Sequence, residues 1–183
     1  MKAVSLSEST TKWVWMVAIG MVLLGARFLN PFPNWSWFGA TLILLGSVPL
    51  LGNMEKFLVF GVALVASDAV IGFYPGWVWV MVGHLGYLVV GRGLWDKLWP
   101  VFHLERPLMA SIWFFIMSNF GVWLETSMYP KTWEGLLMCY GAAVPFFRNS
   151  LSSDLVFFIS IMLMRTLWIQ WREKKKALSS SQG

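Results

Sequence analysis

Six apolar runs, at 13–29, 35–52, 56–73, 76–94, 107–124 and 151–171, divide the chain. Each approaches the ~20 residues with which an α-helix crosses ~30 Å of hydrocarbon at ~1.5 Å per residue. Lipid offers the backbone no hydrogen bonds, so apolar runs of this length must be helical. Charged residues make up 13% of the 183 residues and hydrophobic residues 57%, against roughly 25% charged in soluble domains. Too little polar surface remains to cover a water-soluble fold. The lone cysteine, Cys139, excludes an internal disulfide. The sequence predicts an all-α polytopic membrane protein with six transmembrane helices.

Turn signals separate the runs: Asn30-Pro31 and Pro33-Asn34, then Gly52-Asn53, then Pro75-Gly76. The last two are tight and predict antiparallel neighbours. A shorter apolar stretch at 132–148 contains Gly135, Gly141 and Pro145. It reads as an outer re-entrant or lid helix rather than a seventh span.

Charge fixes the expected orientation. With six spans, Lys2, Lys12, Lys56, Arg92, Lys97, Arg106, Arg165, Arg172, Lys174, Lys175 and Lys176 share one side, and Arg27, Lys131 and Arg148 share the other. Eleven against three predicts cytoplasmic termini. The chain then divides into a cytoplasmic segment (1–12), a membrane domain (13–171) and a basic cytoplasmic tail (172–183). The tryptophans agree, with Trp35, Trp37, Trp77, Trp79, Trp123 and Trp133 near the outer interface and Trp13, Trp15, Trp95, Trp99, Trp168 and Trp171 near the inner one. The net charge of +5 is thus a matter of topology, and no nucleic-acid partner is expected.

No zinc-protease motif, nucleophile elbow or phosphate-binding glycine loop occurs. The sequence predicts no enzyme, metal or cofactor. Its unusual polar residues gather instead at the outer side: Arg27 and Asn34 around the first loop, Asp68 in the third run, Asn119 in the fifth, and Arg148 and Asn149 before the sixth. An ionised group inside the bilayer is expensive, so Asp68 needs a partner, a cavity or a proton, with Arg27 or Arg148 as its expected counter-charge. Trp123 and Tyr140 offer flat apolar surface nearby. These eight residues form the expected substrate-binding set. His84 reads as a packed mid-span histidine. Gly61, Ala63, Ala66 and Ala69 in the third run read as a face for close helix packing or for docking another membrane protein.

The stretches Arg27-x-x-x-Pro31-x-x-Asn34, Ser67-Asp68 with Gly72, Ser118-Asn119-Phe120-Gly121-Val122-Trp123, and Cys139-Tyr140 followed by Pro145-Phe146-Phe147 and Asn149 resemble an uncharacterised family of bacterial multi-pass membrane proteins. That family is similar in size and layout to the substrate-binding S components of energy-coupling-factor (ECF) transporters. The resemblance implies the bacterial inner membrane, a small-molecule pocket in the outer half of the bundle, uptake of a small, vitamin-like metabolite, and a transmembrane coupling subunit with ATPases as partner besides membrane lipid. The first run carries Ala18-Ile19-Gly20 and Gly25-Ala26 where S components commonly carry an Ala-x-x-x-Ala docking motif. The alternative is a non-transporting membrane scaffold of the cell envelope.

Overall fold

The computed structural model describes residues 7–29, 35–92 and 104–180. Its regular elements are six α-helices: α1 (Glu8–Phe28), α2 (Phe38–Ser47), α3 (Asn53–Ile71), α4 (Trp77–Val90), α5 (Glu105–Glu125) and α6 (Trp133–Ser180). Local chemistry sets most of their ends. Ser7 caps α1, its hydroxyl accepting the Thr10 N–H at 3.1 Å. The Glu55 carboxylate reaches back to the Gly52 N–H at 2.6 Å where α3 begins. Gly72, at φ 103°, ends α3, and Gly76, at φ 88°, starts α4; both conformations favour glycine. The Gly76 N–H donates to Glu125 Oε2 at 2.7 Å, tying the α3–α4 turn to the end of α5.

α1, α5 and residues Trp133–Lys175 of α6 are long and apolar enough to cross a membrane. α3 has 19 residues but includes Glu55, Lys56 and Asp68. α2 and α4 are shorter apolar helices. The second run, expected to span over 35–52, is helical for only 10 residues. Pro49 explains this, because it forces Val48 into an extended conformation with ψ 112°. At the other end the first helix begins at Glu8, earlier than the expected 13.

A larger correction concerns the expected lid. The expected lid at 132–148, from Trp133 onward, and the expected sixth span at 151–171 are not separate elements: both lie in α6, which runs for 48 residues, ~72 Å at the usual rise. Pro145 lies inside this helix. Proline removes one N–H and crowds the residue four positions earlier. Here that residue is Gly141, and the helix nevertheless continues through it.

α2 is the centre of the bundle and touches every other helix. α1 pairs with α3, while α4, α5 and α6 pack in sequence on the opposite side of α2. Leu23, Leu42, Ile43, Leu45, Leu64 and Leu88 form the buried core. The outward surface is strongly apolar, as with Met21 on α1, Val62 on α3, Met109 on α5 and Leu167 on α6. Such a surface suits lipid rather than water.

The closest helix approach is not on α3. A Cβ on Gly46 would fall on the Leu88 carbonyl oxygen, and one on Gly91 on the Ile43 carbonyl oxygen. α2 and α4 therefore cross backbone to backbone at these glycines. Gly61 meets open space, and Ala66 and Ala69 are exposed; only Ala63 of that series is buried.

Candidate functional site

One end of the bundle collects the end of α1, the start of α2, the α3–α4 turn and the α5–α6 connection. At that end Arg27, in the last turn of α1, forms an ion pair with Asp68 of α3. Its Nε also donates to Ser67 Oγ at 3.1 Å, while the Ser67 hydroxyl donates to the Leu64 carbonyl at 2.8 Å. Asp68 is 0% exposed. Its Oδ2 has no hydrogen-bond partner among the described residues. The counter-charge needed by the buried carboxylate thus comes from Arg27, not Arg148. In the adjoining connection, burial raises the Tyr74 phenol above its ordinary pKa; Asp68 adds to the rise and Arg27 opposes it.

Beside this pair lies a cavity of about 370 Å³ between α1, α2, α4, α5 and α6. Arg27, His84, Tyr87, Asn119 and Asp154 supply polar groups to its wall, and Phe38, Phe114, Phe115, Phe146 and Phe147 supply rings. Asp154 of α6 is 3% exposed. Its Oδ2 accepts the Tyr87 hydroxyl at 2.5 Å and lies 2.7 Å from the Ser111 hydroxyl. Three helices therefore meet at one carboxylate oxygen. His84 is 7% exposed. Its Nδ1 lies 2.8 Å from the Val80 carbonyl; a carbonyl only accepts, so this nitrogen carries the proton. The imidazole is wedged between Phe38, at 4.8 Å, and Phe114, at 4.6 Å, between ring centroids.

A family model described as "Family of unknown function (DUF6580)" matches residues 7–177, nearly the whole chain. The chain belongs to that family. No curated protein and no solved structure matches it. Both walls of the cavity, from Arg27 to Asp154, lie within the stretch matched to DUF6580.

Of the eight residues expected from the sequence, Arg27 and Asn119 line the cavity. Asp68 stands behind Arg27 as its counter-ion. Trp123 donates its indole N–H to the Pro130 carbonyl at 2.9 Å, with the Lys131 ammonium 5.6 Å from its ring; it pins the α5–α6 connection. Tyr140 donates to the Ile116 carbonyl at 2.9 Å and packs against Phe115, fastening α6 to α5. Arg148 and Asn149 are exposed on α6 and are not part of the cavity wall. Asn34 lies outside the described residues.

His84, Tyr87, Ser111 and Asp154 were not among the expected site residues. Asp154 carried a usable signal, an acidic residue inside an apolar run, the same one that marked Asp68. Cys139 is buried, its thiol 3.5 Å from the Asn119 carbonyl oxygen. Among the described residues no three His, Cys, Asp or Glu side chains converge as a metal site.

Proposed function

We propose that this DUF6580 protein is an integral membrane substrate-binding subunit for uptake of a small, vitamin-like metabolite, with its pocket in the outer half of a six-span bundle. The observation that carries the reading is the cavity itself. Apolar rings with a few convergent polar groups are the usual makeup of a small-molecule site. A volume of about 370 Å³ lies at the small end of the ~300–1,000 Å³ range of such sites.

The charge split of the sequence supports a bacterial inner-membrane protein with both termini cytoplasmic. In that orientation the cavity faces outward, as uptake requires. The resemblance to S components supports a transmembrane coupling subunit with ATPases as partner. The reading can be tested by adding fractionated metabolite extract to the detergent-purified chain and following thermal unfolding. A ligand that binds only the folded state raises the midpoint. A fraction that does so reproducibly supports a binding subunit; the absence of any such fraction favours the envelope scaffold.

A further inference from the structure

Most of the hydroxyl donors on the cavity's lining are already spent within the protein. The hydroxyls of Ser118, Ser150 and Ser153 each donate to a carbonyl one turn back on their own helix. Asn119 sends its side-chain NH₂ to the Phe115 carbonyl at 2.7 Å. Tyr87 donates to Asp154, and Arg27 is engaged with Asp68 and Ser67. Among the described residues, three acceptors and one donor remain on the lining; the donor is the hydroxyl of Tyr74, whose oxygen accepts from Arg27. With Nδ1 protonated, His84 presents a bare Nε2. Asn119 presents its Oδ1. Asp154 presents Oδ1, which lies over Gly39 where a Cβ would collide with it, and Gly39 lines the same cavity.

Charge points the same way. The ion pairs among the described residues join Lys12 to Glu8, Lys12 to Glu55 and Arg27 to Asp68. Arg27 has Asp68 as its counter-charge, and among the described residues no ion pair involves Asp154, whose partners are hydroxyls. A buried carboxylate without a cation is costly, and either a proton or a bound cation relieves it. Phe38, Phe114, Phe115, Phe146 and Phe147 line the same cavity; the face of such a ring attracts a cation, and face or edge can pack against a flat ring.

We propose that the cavity takes a small planar organic cation, such as an amidinium, an arylammonium or a protonated amino-heteroaromatic ring. Its N–H groups donate to Asp154 and His84, and its ring lies among Phe114, Phe115, Phe146 and Phe147. This rests on reading the cavity as a ligand pocket and names the ligand's chemistry. The volume suits a ligand, or the inserted part of one, of about one or two fused rings.

Three probes with one ring and different heads test this on the full chain in detergent, in amine-free buffer: benzamidinium, benzamide and benzoate. Binding is read by ligand-observed NMR and thermal shift at millimolar concentration. Benzamidinium should bind about tenfold tighter than benzamide, and benzoate should not bind. Asp154→Asn should weaken benzamidinium about ten- to a hundredfold and leave benzamide unchanged. If that variant does not fold, His84→Phe, which keeps the ring contacts, should weaken benzamidinium about tenfold. Benzamide or benzoate binding as well as benzamidinium overturns the cation assignment and leaves the pocket standing. Benzamidinium binding undiminished in the folded variants, or no binding of any probe, also overturns it; a stabilising fraction in the extract screen would then show that the pocket takes another class of ligand.

Discussion

Tyr87 of α4 donates a 2.5 Å hydrogen bond to Asp154 of α6, across 67 residues of sequence. Both side chains are buried, and both line the cavity. The bond joins the floor of the cavity to the packing of the bundle. In Tyr87→Phe the carboxylate keeps only the Ser111 hydroxyl, whose single proton the Pro107 carbonyl at 2.7 Å shares. Leaving a buried acceptor under-satisfied costs about 1–3 kcal/mol, so the thermal midpoint in detergent should fall clearly. Tyr140→Phe removes a hydroxyl that bonds one backbone carbonyl near the surface and should have the smaller effect.

Arg27 and Asp68 should behave as a unit. Removing one partner of a buried ion pair strands the other charge, at a cost of about 3–5 kcal/mol. Arg27→Gln and Asp68→Asn should each destabilise strongly, and the double variant should lose less than the sum. A double-mutant cycle on thermal stability checks this. Additive losses would mean that the two side chains do not depend on each other.

The glycines separate packing from mere smallness. Gly46→Val places a side chain on the Leu88 carbonyl and should prevent α2 and α4 from closing. Gly61→Val meets open space and should change stability by no more than about 0.5 kcal/mol. The yield of monodisperse protein by size exclusion, compared between the two, reads the difference.

Orientation is open to a direct check. A fluorescent reporter that matures only in the cytoplasm, fused after Gly183, should be bright, and a reporter active only in the periplasm should be silent. The reverse result would turn the cavity toward the cytoplasm and contradict uptake from outside.

Hydropathy located the helices because apolar runs of membrane length cannot be anything else. It misjudged their extents because hydropathy does not register backbone geometry. Leu50 and Leu51 extend an apolar run that Pro49 has already ended as a helix. Pro145 reads as a break, yet it lies inside the continuous α6. Arg27, Asp68 and Asn119 were legible as polar residues within or at the end of apolar runs. His84 was visible in the same way, but its role depends on Phe38 and Phe114 from two other helices. The Tyr87–Ser111–Asp154 cluster comes from three separate helices, and no local pattern announces it. Arg148 and Asn149 were grouped with the site because the expected topology put them on the outer side with the other polar residues, whereas both are exposed on α6.

Native mass spectrometry of the detergent-purified chain tests the central claim, a small molecule held in the bundle. Ser118 lines the cavity and bonds only its own helix, so Ser118→Phe fills the space without breaking a contact between helices. The wild-type chain should carry a small-molecule adduct, distinct from lipid, that is absent from a folded Ser118→Phe variant. A wild-type mass equal to the chain plus lipid alone, or an adduct retained equally by the variant, would contradict the account.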